Sequence, residues 1–231
     1  MKNYYLLGEH LGHSFSAIIH NRLFQEQGLN ARYSLCELPP NMLESKLMQL
    51  KTESGANVTI PYKHIAALHM DELLGDARAT GAINTIIPQG NRLVGENTDG
   101  EGFMRSISGW AENIRGEKAL VIGAGGAAHV IAYKLALAGA KGHISARRNA
   151  SDLAQKINLL VPGAAQASSP EGEWYLAVNA TPVGMGNLKG QSPLPAQADF
   201  KCFYAFDCIY NPKKTPFLAQ AEEKGAQCLN G

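Results

Sequence analysis

Gly123, Gly125 and Ala128 stand in the spacing G-x-G-x-x-A, within Gly123-Ala124-Gly125-Gly126-Ala127-Ala128. The apolar run Ala119–Ile122 precedes them and an alanine-rich stretch with helical character follows to Ala140. Strand, tight turn and helix in that order suit the binding of a dinucleotide. The first glycine makes the turn, the second lets the backbone approach a pyrophosphate, and the alanine lets the helix pack close to the sheet. The free N–H groups at the helix start then face the anion. A purely structural strand–helix turn would need only part of this pattern. A second strand is expected at Gly142–Ser145, followed by Ala146-Arg147-Arg148-Asn149. An NAD site places an acid roughly 20 residues past the first glycine. Here Arg147 and Arg148 occupy that region and no acid appears before Asp152. Guanidinium groups suit the 2′-phosphate of NADP, the alternative being two arginines of a surface loop.

A second set of reactive side chains lies in the first half. Ser14 and Ser16 sit two apart in the polar loop Glu9–Ser16. In an extended segment their hydroxyls point the same way and can meet one carboxylate; alternatively, Ser14 caps the helix expected over Ala17–Gln27. In Gly55–Lys63, Val58 and Ile60 alternate with Asn57 and Thr59 before Pro61. Thr59 and Lys63 therefore fall at or just past a strand end, where α/β proteins collect ligands. Lys63 is either a solvated surface lysine or a catalytic one. Gly81–Thr85 (GAINT) and Gly95–Gly100 (GENTDG) add Asn84, Asn97, Thr98 and Asp99, which are either turn formers or binding groups.

Positioning these groups requires an alternation of strands and helices. Strands are expected at Tyr4–Leu7 and Ala31–Leu38, with a helix opened by Pro39-Pro40 and running to Leu50. The segment Ile86–Leu93 fits a hairpin that draws GAINT and NTDG together. A helix over Gly102–Arg115 links this half to the dinucleotide half, and Ala226–Leu229 reads as a last strand. The apolar stretch Lys118–Ala140 is no membrane span, because His129, Lys134 and the glycine cluster interrupt it. With 231 residues, 45% hydrophobic and 18% charged, the chain has the make-up of a globular protein of one large or two modest domains. A net charge of +1 gives no basis for a nucleic-acid or membrane partner. Cys36, Cys202, Cys208 and Cys228 lack C-x-x-C spacing and are expected to be reduced thiols in the cytoplasm. The N-terminal residues do not form a signal peptide.

The motifs HSFS with His20-Asn21, NVTIPYK, GAINT, NTDG, GAGGAA, NATPVGM (Asn179–Met185) and FDCIYNPKKTPF (Phe206–Phe217) occur in one order. Together they resemble the shikimate dehydrogenase family over essentially the whole chain. The resemblance implies an α/β fold with an N-terminal substrate domain (1–101), a C-terminal Rossmann-type NADP domain (102–231), and the active site in the cleft between them. It implies that Ser14 and Ser16 hold the substrate carboxylate, with Tyr210 at the same end. Thr59 contacts substrate, Lys63 is the catalytic lysine, Asn84 and Asp99 bind ring hydroxyls, and Asp99 pairs with Lys63. The cofactor contacts fall on Gly123, Ala124, Gly125, Gly126, Ala127, Ala128, Arg147, Arg148, Thr181, Ile209 and Gly231. No metal is implied. The implied reaction interconverts shikimate and 3-dehydroshikimate in aromatic amino-acid biosynthesis, in a monomer or homodimer.

A free lysine side chain, with a pKa of ~10.4, is a poor base at neutral pH. Desolvation would favour its neutral form and Asp99 its charged form, so the two are best treated as one titrating unit. Several residues depart from the family pattern. Ala146-Arg147-Arg148-Asn149 replaces the usual Asn-Arg-Thr, and Ala17 and Glu9-His10-Leu11 lack the usual prolines of the first loop. Relatives continue past Asn230-Gly231 into a returning helix with a substrate-contacting glutamine. The rival readings are a quinate/shikimate dehydrogenase using NAD or NADP, and a non-catalytic ligand-sensing domain of the same fold.

Overall fold

The computed structural model describes residues 1–12, 14–52, 54–195 and 197–231; the first residue of the HSFS motif, 13, lies outside them. The chain divides into two units, Met1–Thr98 and Asp99–Gly231.

In the first unit, β1 (Lys2–Gly8), β2 (Ala31–Glu37) and β3 (Gly55–Val58) are parallel. The hairpin β5 (Thr85–Gln89) and β6 (Arg92–Glu96) joins antiparallel to β3, and the short β4 (Glu72–Leu73) closes the sheet in the order β2-β1-β3-β5-β6-β4. Gly90, at the first of the two loop positions, has φ 61°, the arrangement expected of a primed hairpin turn with glycine first. The helices are α1 (Ser16–Glu26), α2 (Leu43–Leu50), α3 (Lys63–Ala67) and α4 (Gly75–Thr80). Leu43, Leu47 and Leu50 form the buried stripe of α2 and pack with Leu7, Val58, Tyr62, Ile86 and Leu93. The expected helix after Pro39-Pro40 begins instead as a 3-10 turn, Pro40–Met42.

The second unit holds β7 (Lys118–Ile122), β8 (Lys141–Ser145), β9 (Ala165–Ala167), β10 (Gly172–Asn179), β11 (Phe200–Asp207) and β12 (Gln227–Asn230), all parallel. Their order, β12-β11-β10-β7-β8-β9, is the 3-2-1-4-5-6 order of a Rossmann sheet counted from β7. Along β7, Ala119 and Val121 enter one apolar cluster and Leu120 and Ile122 the other. A strand covered on both faces therefore reads as a continuous apolar run. The helices are α5 (Asp99–Ser106), α6 (Ser108–Ala111), α7 (Gly126–Leu137), α8 (Ala150–Leu160) and α9 (Pro216–Glu223). The single helix expected over Gly102–Arg115 is thus two, starting at Asp99 and broken at Ile107. Ser106, Ser108 and Gly109 are weak helix formers, and Ile107 is buried at the break. Among the described residues, no helix is long and apolar enough to cross a membrane.

Candidate active site

The loop after β1 is built on Gly8. A Cβ there would lie 2.8 Å from Cγ2 of Thr59 and 2.5 Å from Cδ2 of Leu11, so only glycine admits this approach. The Ser14 N–H donates to the Leu11 carbonyl (2.8 Å), and the Leu11 N–H donates to the Glu37 carboxylate, tying the loop to the end of β2. The Ser14 and Ser16 hydroxyls lie 3.1 Å apart, and the Ser14 hydroxyl accepts from the Ser16 N–H at 3.2 Å. The extended segment expected here is not what brings them together. Phe15 is helical (φ −87°, ψ −3°) and is itself the N-cap of α1, without a side-chain cap bond. A tight turn around Phe15 therefore makes the hydroxyl pair, and Ser14 stands one residue before the N-cap.

Thr59 follows β3 directly, its N–H donating to the Leu7 carbonyl at 2.9 Å. The strand stops at Val58, so the expected alternation does not extend to Ile60, which is 61% exposed while Val58 is buried. Tyr62 anchors the next turn: it is fully buried and its hydroxyl donates to the Leu38 carbonyl at 2.6 Å. Lys63 is the first residue of α3, half-buried, and its carbonyl accepts from the Ile83 N–H at 3.0 Å. That bond sets the GAINT segment beside the lysine's backbone. The Asn84 carbonyl accepts from the Val58 N–H (2.8 Å), and its side-chain Oδ1 accepts from the Thr98 N–H (3.0 Å). The hairpin therefore joins GAINT to NTDG as its pattern required. Asn97 serves the scaffold, donating to the Ala82 carbonyl at 2.9 Å while buried. Ser14, Ser16, Thr59, Lys63 and Asn84 all belong to segments at one end of this sheet: where β1 and β3 finish and β5 begins. Asp99 opens α5 in the second unit, half-buried, in a helix whose first turn also carries Glu101.

In the second unit the glycine loop lies between β7 and β10, where the strand order reverses. Gly123 has φ 122°, and a Cβ on it would come 3.1 Å from Cγ2 of Thr181 and 3.2 Å from the Ala180 carbonyl oxygen. A Cβ on Gly125, the N-cap of α7, would meet nothing within 4 Å, so open space lies over the backbone there. Ala124 completes the turn, Gly126 and Ala127 open α7, and Ala128 is fully buried against the sheet. The open glycine and the unpaired first N–H groups of a helix fit a pyrophosphate. Arg147 and Arg148 follow β8 and are exposed, before Asn149 (φ 64°) caps α8. Thr181 donates its N–H (3.0 Å) and hydroxyl (2.7 Å) to Oδ1 of Asn179. Ile209 is buried, and its N–H donates to the Asp207 carboxylate at 3.0 Å. A Cβ on Gly231 would lie 2.7 Å from the Cys208 carbonyl oxygen, while Tyr210 is 43% exposed.

Asn179 of NATPVGM joins Asp207 and Thr215 of FDCIYNPKKTPF in a buried hydrogen-bonded group. All three are buried, and Asp207 accepts from Asn179 Nδ2 (3.1 Å), the Thr215 hydroxyl (2.6 Å) and the Ile209 N–H. The sequence signal was an acid ending the largely apolar strand FKCFYAFD, after the apolar run Cys202–Phe206. Burial pushes the Asp207 carboxyl above its ordinary range, and the Thr215, Ile209 and Asn179 donors pull it back only in part. The native state then holds this proton more tightly than the unfolded chain. The stabilising contribution is complete below the ordinary carboxylate pKa and is lost as pH rises through the raised native value. Asp207→Ala strands three donors and is expected to cost roughly 2–4 kcal/mol, read as a lowered denaturant midpoint at pH 7. Asp207→Asn should flatten the fall in stability with pH; an unchanged midpoint for both variants would contradict this role.

The first unit thus gathers hydroxyls, an amide and a lysine at one sheet end, and the second has the loop and strand order of a dinucleotide-binding unit. This defines a two-unit α/β protein of the nucleotide-dependent enzyme class. The profile described as Shikimate dehydrogenase substrate binding domain matches residues 6–86. A shikimate dehydrogenase (NADP(+)) of Carboxydothermus hydrogenoformans is 37% identical over 240 residues, spanning 98% of this chain and 84% of that protein. The structure of shikimate 5-dehydrogenase from Thermus thermophilus in complex with NADP(H) and shikimate superposes with a TM-score of 0.87. It is 32% identical and covered over 86% of its length by 99% of this chain. That from Listeria monocytogenes, in complex with shikimate and NAD, gives 0.85 at 32% identity, covering 100% of this chain and 86% of that one. The chain belongs to the shikimate dehydrogenase family.

Proposed function

We propose that this protein is an NADP-dependent shikimate dehydrogenase, which reversibly oxidises shikimate to 3-dehydroshikimate on the route to chorismate and the aromatic amino acids. The observation that carries this reading is the pairing of two features in one chain. The Rossmann-ordered unit has arginines after its second strand, and the other unit's sheet end bears two serines, Thr59, Lys63 and Asn84. In this reading the first unit binds substrate and the second binds NADP through the Gly123–Ala128 loop, Thr181, Ile209 and Gly231. The adjacent Ser14 and Ser16 hydroxyls suit the substrate carboxylate, and Thr59 and Asn84 suit its ring hydroxyls; the family resemblance assigns Tyr210 to the carboxylate and Asp99 to the ring hydroxyls.

When bound, NADP supplies the hydride acceptor. The residues of this chain supply alignment and proton transfer. Oxidation breaks the O–H and C–H bonds of one secondary alcohol, the proton passing to Nζ of Lys63 and the hydride pair leaving the carbon. Reduction runs the same path backwards, Lys63 returning the proton to the carbonyl oxygen. The partners are small molecules, and a cytoplasmic setting accords with four free thiols. The test is an initial-rate comparison of shikimate and quinate, each with NADP and with NAD. Shikimate with NADP is expected to have the highest kcat/KM by at least about tenfold; quinate equalling shikimate, or NAD equalling NADP, would favour the broader quinate/shikimate enzyme.

A further inference from the structure

A chain of side chains crosses the first sheet behind Asn84, and its donor–acceptor directions are fixed from both ends. At one end, Asn57 Nδ2 faces the backbone carbonyl of Asn84 at 3.1 Å. A carbonyl can only accept, so this atom must be the amide nitrogen, and Oδ1 of Asn57 must face the Tyr33 hydroxyl at 2.8 Å. Tyr33 therefore donates. The second hydrogen of Asn57 Nδ2 points to Oγ1 of Thr85 at 3.2 Å, which accepts and keeps its own proton for Oδ1 of Asn84 at 2.9 Å. At the other end, the Thr98 N–H can only donate, and it too meets Oδ1 of Asn84, at 3.0 Å. Both ends require the same orientation: the Asn84 oxygen is held by Thr85 and the Thr98 N–H. Its Nδ2, which reaches Oγ1 of Thr98 at 3.0 Å, is the donor side of the amide.

The chain is itself anchored. Asn21 pairs with both the N–H and the carbonyl of Tyr33 at 2.8 Å, and the His20 ring stacks on the Tyr33 ring at 4.3 Å. This gives the His20-Asn21 pair of α1 a task that no direct substrate contact had given it. Burial holds the Tyr33 phenol well above its ordinary pKa, so it remains a donor.

We propose that Thr85, directed by Asn57 and Tyr33, is a positioning residue that makes Asn84 a hydrogen-bond donor to an oxygen of the substrate. The proposal rests on the shikimate dehydrogenase reading for its substrate, but the amide orientation stands apart from it. An asparagine able to flip would present donor and acceptor alike to a hydroxyl, which can pair with either. A locked one selects the acceptor lone pair of that oxygen and so fixes the rotation of the ring's hydroxyl.

The experiment measures KM for shikimate and for NADP in Thr85→Val, Thr85→Ser, Tyr33→Phe and the Asn84→Ala/Thr85→Val double variant, with melting temperatures alongside. Thr85→Val is expected to raise KM for shikimate roughly three- to tenfold, the worth of one neutral hydrogen bond, and to leave KM for NADP unchanged. Thr85→Ser should restore KM, and adding Thr85→Val to Asn84→Ala should cost nothing further. If Thr85→Val does not fold, Tyr33→Phe, which deletes a single hydroxyl, gives the same reading with a smaller rise. Wild-type KM in both variants, or an undiminished Thr85→Val effect in the Asn84→Ala background, would overturn the proposal. The side-chain amide NMR signal of Asn84 provides a readout independent of turnover. Its shift should change in Thr85→Val, and an unmoved signal would overturn the relay even in a protein that oxidised no shikimate. An inactive unaltered protein whose amide signal still responds would refute the parent reading alone.

Discussion

Lys63→Ala is expected to lower kcat for shikimate oxidation about 100- to 10,000-fold while KM for shikimate changes only a few-fold. That is the usual contribution of a general acid–base group. The expectation rests on where the lysine sits: on the first turn of α3, immediately after the Thr59–Tyr62 turn, with its backbone bonded to the segment that carries Asn84. Its backbone is fixed by the buried Tyr62 and by Ile83, so the substitution removes an amine without loosening the turn. A binding lysine would behave otherwise, raising KM and sparing kcat. Steady-state kinetics in both directions, with single-turnover hydride transfer, separates the two. A near-normal kcat with a much raised KM would remove Lys63 from proton transfer.

The double substitution of Arg147 and Arg148 by alanine carries the second large effect. It is expected to lower kcat/KM for NADP about 100-fold, with about tenfold for the stronger single variant, and to leave NAD within a few-fold. Only NADP bears the 2′-phosphate, so the ratio of the two cofactors isolates the charge interaction from general damage to the loop. Both arginines follow β8 after Ala146, in the region where an NAD-specific sheet carries its acid. Both side chains are exposed, which makes the contribution sensitive to ionic strength, and the NADP preference should narrow as salt rises. An unchanged NADP/NAD ratio in the single and double variants would contradict the assignment.

Where function depended on local geometry, it could be read in the sequence. The glycine loop was legible because a strand, a turn and a helix N-terminus are set by neighbouring residues: Gly123 takes a positive φ and a close approach to Ala180, and Gly125 leaves the backbone open. The hairpin was legible for the same reason, and with it the meeting of Asn84 and Thr98. The serine pair was legible as a pair but not in its geometry: Phe15 turns helical where an extended residue was expected, and the hydroxyls converge through that turn. The buried triad of Asn179, Asp207 and Thr215 required strand pairing to appear, because Asn179 meets Asp207 across β10 and β11, 28 positions apart. The relay from Tyr33 to Asn84 was less visible still. It joins β2, β3 and β5, which come together only through sheet order, and no local propensity records that order.

The break between α5 and α6 shows the reverse case, a local signal passed over. Ser106, Ser108 and Gly109 lower helix propensity at one place, and the chain turns there so that Ile107 reaches the core. At its other end α5 starts at Asp99, earlier than expected, and acidic side chains are favoured in that first turn.

This chain is expected to perform alcohol oxidation at shikimate with NADP as acceptor. The measurement that meets it most directly is product identification from the purified protein with shikimate and NADP. Mass spectrometry of the reaction, run beside absorbance of the reduced nicotinamide, is expected to find one 3-dehydroshikimate formed for each NADPH. Tight NADP binding with no reduction by shikimate, and no ketone formed, would contradict it and leave a ligand-binding protein of the same fold.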